Sequence, residues 1–592
     1  METKNTLIKK YDIAVIGGGL AGMSAAIAAA RHGAKTALIQ NRPVLGGNAS
    51  SEIKMHICGA DKHCARTNAR ETGIIEEIQI KNKARNPEYS YAIFDNVLWE
   101  CANFEDNLDL YLNLHIDSVN SENNKIISVS GTQQTTEKHF TFNADLFIDA
   151  TGDASIGAKA GAEFMYGRED KSDFSEPDAL DEKDHCTMGN SIMFIARDLG
   201  HPVKYTKPSW AYTFTEEQLK NRPHSSIGSG YWWVELGGND LNTITDAEEI
   251  RDELYKTIYG LWDHIKNGGE HGAENYELDW VGQVPGKRES RRMIGDYVLK
   301  ETDLLNTVHF DDAISYGGWD MDCHTIDGLR SGNDEPTKYI GFPDLYEIPY
   351  RTIISKNISN LFLSGRAFSC THLAFASTRV MATCAAVAQA AGTAGAMAIK
   401  YNTTPRGIYE NHIKELQQTL LKDDCYIPNV KNEDEKDFAR FAKISASSTK
   451  SGYDAENIIN GVARQVHDDV NCWHSNGLSA DGEYIELSFE KAVDVSEIHL
   501  KFDSNLSKQL TITVSDWVKE NEIKTLPIEL VKDYDIILYS GDEAVKTIEI
   551  KDNILRHNVN RLETAVKCDK IKVKINNTYG VNEARIFEVR VY

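Results

Sequence analysis

Residues 11–40 read YDIAVIGGGLAGMSAAIAAARHGAKTALIQ, and the rest of the chain is interpreted from them. An apolar run, Ile13–Ile16, enters Gly17-Gly18-Gly19-Leu20-Ala21-Gly22. An Ala-rich helical segment, a stop at Gly33 and a second apolar run, Thr36–Ile39, follow. This is strand, glycine turn, helix, strand, the context in which G-x-G-x-x-G signals a dinucleotide site. Gly17 permits the tight turn, Gly19 lets the backbone approach a pyrophosphate, and Gly22 lets the helix pack closely on the strand. The helix N-terminus then faces the phosphate charge.

The chain has 592 residues, too many for one core, so several domains are expected. A net charge of −25 argues against nucleic acid or an anionic membrane as partner. The segment before Ile13 is polar, with no secretory h-region, and the ten cysteines show no C-x-x-C pair or zinc-like spacing. A cytoplasmic protein with reduced thiols and no metal ligands is the expectation. The Ala- and Gly-rich stretch 380–399 carries Thr383, Gln389 and Thr393, which suits a buried helix better than a membrane span.

At the end of the second strand, where a ribose-binding acid is usual, stands Gln40, followed by Asn41 and Arg42. A second glycine turn comes next, Leu45-Gly46-Gly47-Asn48-Ala49-Ser50, offering further N–H groups with Arg42 as a nearby cation. Two such turns suit FAD better than NAD. Residues 51–68 are rich in reactive side chains, of which Glu52 (substrate) and His56 (acid–base work) are the candidates. Strands are expected at 108–114, 125–130 and 140–142, and then at 144–149. The last leads into Ala150-Thr151-Gly152-Asp153, small residues that let the backbone pass close to a cofactor.

Residues 165–345 hold no second G-x-G-x-x-G and no cysteine pair, which excludes a pyridine-nucleotide disulfide reductase. Aromatics are interleaved with polar groups there: Trp210, Tyr231-Trp232-Trp233-Val234-Glu235, Trp280, and Gly317 to His324. Such a mixture suits a sugar ring, whose C–H faces stack on indoles. Arg288, Asp322 and His324 are the favoured catalytic candidates, and Trp319 a substrate contact. Further on, Gly365 and Arg366 end a strand, His372 sits in the following loop as a substrate candidate, and Arg379 and Met381 precede or open the long apolar helix. A helix start aimed at a flavin would stabilise its anionic reduced ring.

After Lys400 comes an acidic linker, then alternating strands expected at 484–489, 495–502, 510–514, 544–550, 570–575 and 586–591. These suggest an all-β sandwich of ~150 residues.

Taken together, Gly17–Gly22, 45–50, 150–153, 286–297 (GKRESRRMIGDY), 317–324 and 365–392 resemble the FAD-dependent oxidoreductase family related to fumarate reductase flavoprotein and glycine oxidase folds. The resemblance runs over about residues 10–402. It implies non-covalent FAD held by Gly17, Gly19, Gly22, Arg42, Gly47, Asn48, the backbone at Ile116, Ala150, Gly152, Gly365, Arg366 and Met381. Gln40, Asn41, Gly46 and Thr151 adjoin these as further candidates. The tail, with ISASS at 444–448, AENIING at 455–461 and CWHS at 472–475, is similar to discoidin-type, galactose-binding-like jelly rolls. That family often binds sugars, sometimes with a structural Ca²⁺.

The fold class expected is therefore α/β: a Rossmann-like, two-glycine-motif FAD domain with an inserted α+β substrate domain, plus a C-terminal all-β jelly-roll sandwich. The expected boundaries are 1–164 and 346–422 for the FAD domain, 165–345 for the insertion, 423–442 for a linker and 443–592 for the sandwich. The expected activity is hydride removal from a small molecule, a sugar or glycoside, with His324 or His56 as base and Arg288 or Arg379 facing developing negative charge. Redox-neutral glycoside cleavage through a keto intermediate is a variant. The alternatives are a fumarate-reductase-like oxidoreductase of a small carboxylic acid and a carbohydrate-binding or assembly protein with structural FAD.

Overall fold

Ile13, Ala14 and Val15 are wholly buried because their strand lies at the centre of a sheet covered on both faces, where a continuous apolar run is what a strand requires. The computed structural model describes residues 6–269, 271–332 and 334–592. Contacts divide the chain into two units. One comprises Met1–Lys62, Glu88–Leu416 and Thr511–Glu520, the other His63–Pro87, Gln417–Leu510 and Asn521–Tyr592.

In the first unit, β1 (Thr6–Ile16), α1 (Leu20–Arg31) and β2 (Thr36–Ile39) form the expected crossover. They are joined by β3 (Leu108–Tyr111), β4 (Leu114–Glu122), β5 (Lys125–Gln133), β6 (Lys138–Asp149) and a late strand, β7 (Leu361–Leu363). The sheet order is β3-β2-β1-β6-β5-β4, with β7 added to β6. β1 runs parallel to β2 and β6, and β7 parallel to the end of β6, while β4, β5 and β6 form an antiparallel meander. The expected strand at 108–114 is in fact two. Asn113 takes a positive φ of 56° and its N–H reaches Arg42 O at 3.1 Å, so the chain turns from β2's neighbour into the meander. The expected strands at 140–142 and 144–149 are one.

The apolar stretch forms α2 (Met381–Lys400), whose most apolar window is 94% buried. It lies on α1, and both are rich in Ala and Gly so that their backbones can close up. A Cβ on Gly392 would stand 2.0 Å from Ala25 O. Between β6 and β7 the insertion has its own core. Helix Ala247–Asn267 buries Ile250, Leu254, Ile258, Leu261 and Ile265 at helical spacing against Phe194, Trp233 and Val234. The aromatic run 231–233 is therefore divided. Tyr231 and Trp233 stack on each other in this core at 5.0 Å, while Trp232 is left half-buried.

The second unit contains β8 (Lys443–Ala446), β9 (Trp473–His474), β10 (Glu483–Phe502), β11 (Val531–Ser540), β12 (Glu543–Ile550), β13 (His557–Thr578) and β14 (Arg585–Val591). They form one seven-stranded antiparallel sheet, β9-β14-β10-β13-β11-β12, with β8 on β10. Buried residues alternate along the strands, as at Tyr534, Ile536, Leu538 and Ile571, Val573, Ile575. In β10 the buried set changes parity, from Ile485, Leu487 and Val495 to Ile498, Leu500 and Phe502, and a register shift between Val495 and Glu497 accounts for it.

Two expectations fail here. Residues 510–514 form no strand and belong mostly to the first unit, where Thr511 Oγ1 accepts from Ile57 N–H at 3.1 Å. Residues 63–87 belong with the second unit. Helix Ile74–Arg85 buries charged groups there, with Lys83 on Glu522 at 2.7 Å and Arg70 on Glu76 at 3.0 Å. Neither placement has a local sequence signal.

Gly392→Ala should lower stability by ~1–3 kcal/mol from overpacking, more than offsetting the ~1 kcal/mol gained in helix propensity. A lower thermal midpoint for the first unit's transition checks this, and an unchanged or higher midpoint contradicts the close approach of α1 and α2.

Candidate functional site

Three glycines of the first turn occupy three different environments. Gly17 has φ 108°, and a Cβ there would lie 2.2 Å from Ala150 O. A Cβ on Gly22 would lie 1.8 Å from Gly17 O. Both are required by the protein itself. Gly19 is not: its φ of −67° suits any residue, and a Cβ would meet nothing nearer than Gly47 Cα at 4.0 Å. It opens α1 with no side-chain cap, so the first helical N–H groups are left to a ligand. Opposite it, Gly46 and Gly47 take positive φ, and Gly46 N–H binds Gly18 O at 2.8 Å. A cradle walled by glycine on both sides, at a helix N-terminus, fits the pyrophosphate of FAD.

Around the cradle, Gln40 departs from the expected ribose contact. Its Oε1 accepts from Gly18 N–H at 2.9 Å and its Nε2 donates to Val44 O at 3.2 Å, so the amide braces the glycine turn. Thr151 likewise turns inward, bonding Asp149 and accepting from Ser155 N–H. Asp149 is buried and accepts four hydrogen bonds that tie the strand end to the following helix. Burial nonetheless holds its carboxyl above the usual range.

Asn41 is exposed, and Arg42 stands 3.9 Å from Glu52. Burial raises Glu52, with Arg42 opposing. Asn48 donates to Lys287 O at 3.1 Å, and Ile116 is a buried residue of β4 near the β3–β4 break. Arg366 packs its guanidinium on Gly152, where a Cβ would be 2.7 Å from it, and pairs with Asp153 at 3.0 Å. Burial would raise Asp153, but Arg366 and Lys287 hold it below the carboxylate range. Gly365 sits with φ 66° against Ala21, and Met381 opens α2. Cys58 O accepts from Ala382 N–H, so the segment just beyond His56 reaches the start of α2.

Four of the five catalytic candidates come together, three from the insertion (Arg288, Asp322 and His324) and Arg379 from the segment after β7. His324 and Asp322 lie on strand Met321–His324. His324 Nδ1 is 2.6 Å from Glu235 Oε2, and its Nε2 is 3.2 Å from Asp322 Oδ2. Asp322 also meets Arg379 at 3.1 Å and accepts from Thr337. Arg288 lies 3.3 Å from Glu235 and donates to Ser191 Oγ at 2.8 Å and Trp232 O at 2.6 Å. Trp232 presents its ring edge-on to His324 at 5.3 Å. Burial pushes Glu235 up, yet Arg288 and His324 outweigh it and bring it down to about 2. Asp322 is depressed in the same way, burial being outweighed by His324 and Arg379.

The other candidates fall elsewhere. His372 is buried and bound to Glu289 at 3.0 Å, in a chain that continues to Arg292 and Glu169. Trp319 is 6% exposed, and its main-chain carbonyl accepts from Ser377. Arg288 is bonded on both terminal nitrogens and lies against Glu235. Glu235 itself was not singled out by sequence, although it is the one acid closing an aromatic run.

Gly19→Ala should leave the fold's stability within about 0.5 kcal/mol while weakening FAD at least about tenfold. Flavin titration of the stripped protein reads this, and unchanged affinity would remove Gly19 from the cradle.

A family model described as FAD dependent oxidoreductase matches residues 12–420. No curated protein matches the chain. Solved structures that resemble its C-terminal part include the lectin domain of lectinolysin complexed with Lewis B antigen (16% identity, 27% of this chain and 97% of that one, TM-score 0.20). Another is the family 32 carbohydrate-binding module of C. perfringens NanJ in complex with galactose (18%, 26% and 96%, TM-score 0.19). A third is the family 32 module of Streptococcus pneumoniae EndoD (15%, 26% and 98%, TM-score 0.20). With two glycine turns, a β-meander return and the family match over most of its length, the chain belongs to the FAD-dependent oxidoreductases.

Proposed function

We propose that the enzyme oxidises a carbinol carbon of a sugar or glycoside, with the Glu235–His324–Asp322 array taking the hydroxyl proton. The observation that carries this reading is His324 held between two buried carboxylates, one at each ring nitrogen. Glu235 orients the ring through Nδ1, and Arg288 keeps Glu235 ionised, so the Nε2 side handles the proton together with Asp322. Arg379 bonds Asp322 through one terminal nitrogen while its buried Nε has no hydrogen-bond partner, which leaves positive charge for a developing alkoxide. FAD, when bound, supplies the acceptor for the carbon-bound hydride.

Trp232 beside His324 gives an aromatic edge for a sugar's C–H face. A carboxylate substrate is less well served. Arg288 and Arg379 already pair with Glu235 and Asp322, so neither offers a whole guanidinium fork.

Anaerobic flavin bleaching by a panel of glycosides and of small organic acids tests the assignment. Bleaching by glycosides supports it, whereas bleaching by organic acids alone, or by neither, refutes it. If the cycle is redox-neutral, turnover should proceed without an added electron acceptor. His324→Ala should slow anaerobic flavin reduction ~10²–10⁴-fold at unchanged flavin content. A smaller effect would move the base elsewhere.

Glu235 also makes an acid-sensitive contribution to stability. Its carboxyl titrates near 2 in the fold against an ordinary 4.5, so the contribution is complete above about 4.5 and is lost as pH falls toward 2. Glu235→Gln should cost ~3–5 kcal/mol at pH 7, by leaving Arg288 and His324 uncompensated. Denaturant midpoints across that window should show the gap between the two proteins narrowing, and a constant gap would show that Glu235 is not ionised in the fold.

A further inference from the structure

Outside this site, the insertion gathers a second set of reactive side chains. Glu216 and His224 flank a short turn, His264 lies in the last turn of helix Ala247–Asn267, and His271 follows in the loop beyond it. Their donor atoms all lie within 4.8 Å of one another. Nε2 of His264 and of His271 each stand 3.2 Å from Glu216 Oε1, and Nε2 of His224 stands 3.6 Å from the same oxygen. A tetrahedral zinc ion with bonds of about 2.0–2.1 Å holds its ligand atoms about 3.3–3.5 Å apart. The three distances straddle that edge length.

The proton inventory points the same way. His224 Nδ1 lies 2.6 Å from Arg222 O, a carbonyl that can only accept, so Nδ1 carries the proton. In the neutral ring Nε2 then turns a lone pair toward the Glu216 carboxylate, two donors of electron pairs that a bound cation between them would satisfy together. A backbone carbonyl fixing the far nitrogen is the usual outer-shell support of a ligating histidine. His271 Nε2 is buried and makes no hydrogen bond of good geometry despite its nearness to Glu216.

We propose that Glu216, His224, His264 and His271 form a four-coordinate site for a divalent transition ion of the zinc class. Three imidazoles and one carboxylate with four protein ligands match a closed, structural site, and the exposed Glu216 gives the ion its entry. The cysteine spacings could not show it. The four ligands come from two stretches about 40 residues apart, and no short motif links them.

The ion would clamp the segment that leads to the acid–base array. His224 O accepts from Tyr231 O–H at 3.0 Å and Pro223 O from Trp233 Nε1 at 2.8 Å, on either side of Trp232 and just before Glu235. Arg222 donates to Gly328 O at 3.0 Å, and Gly328 packs so closely on Glu235 that a Cβ would be 2.1 Å from its carbonyl oxygen.

The test uses the full-length purified protein, stripped with chelator and titrated with Co²⁺ and then Zn²⁺. One Co²⁺ per chain with the intense visible d–d absorption of tetrahedral coordination, displaced by Zn²⁺, is expected. His271→Ala should bind at least about 100-fold more weakly and lose those bands. Zn²⁺ should raise the thermal midpoint of the wild-type protein but not of the variant, and in chelator both should melt alike and retain the same flavin content. Substoichiometric uptake by the wild type, octahedral spectra, or a variant within tenfold of wild type would overturn the site. Because bound metal is read directly, a failed glycoside assay leaves this result unaffected.

Discussion

The contact on which the catalytic unit depends is between backbones: Gly22 against Gly17 O, and Gly17 against Ala150 O. Three pieces of chain meet at one point, the end of β1, the start of α1 and the end of β6. A single Cβ at either glycine would occupy space already taken by a carbonyl. Because β1 and β6 run parallel and in register up to Ile16 and Asp149, both strands deliver their ends to that point. β7 then joins β6 at Asp149, and Gly365 follows it to Ala21 at the helix start. The late segment, more than 300 residues downstream in the sequence, is thereby brought to the same cradle. Gly19 is the exception that identifies the ligand side, since nothing in the protein requires a glycine there.

Charge is handled differently in the two halves of the site. At the cradle, cations outnumber acids around Asp153, where Arg366 and Lys287 converge on the carboxylate and Arg291 donates to the main-chain carbonyl. That surplus suits a bound polyanion. In the array around His324, Glu235 and Asp322 face Arg288 and Arg379, so each buried carboxylate has an arginine beside it. A buried array of charges is costly to assemble unless every member is bonded, and removing one partner exposes the others. Arg288, read from the sequence as a catalytic cation facing developing negative charge, is in the structure engaged with Glu235, Ser191 and Trp232.

The nucleotide-binding half was legible because its signals are local. Strand, turn and helix periodicities, and the glycines between them, all fall within 30 residues, and the β6 end carries its own small-residue signature. Alternation likewise revealed the β-domain, although it merged poorly at Val495–Glu497, where a bulge reverses which face is buried. What sequence could not supply were contacts made at long range by residues with no periodic context. Gln40 was read for its position after β2, yet its amide closes on Gly18 and Val44. Residues 231–233 were read together as aromatics, yet successive residues point to opposite sides, so only Trp232 reaches His324. Helix Ile74–Arg85 buries lysine and glutamate, which no apolar pattern can announce.

The insertion connects these two kinds of information. Its core is an ordinary amphipathic helix against aromatic residues, and it places Trp232 and Glu235 at the edge of that core. Residues 216–224, which precede them, have little regular structure, and the backbone there is held by side chains instead of by a ladder. A loop held in that way has few cooperative hydrogen bonds to resist opening, so its geometry depends on a small number of strong attachments. Arg222 is one, bonded to Gly328, Ser331 and Asp334. The convergence of three histidines on Glu216 is another, where the loop meets the end of the helix. An array that must hold His324 between two carboxylates needs both its flanking elements fixed. One, strand Met321–His324, is fixed by its pairing with Thr337–Ile340, and the other, Glu235–Leu236, by its pairing with Asn190–Ser191, with these attachments holding the loop that leads into it.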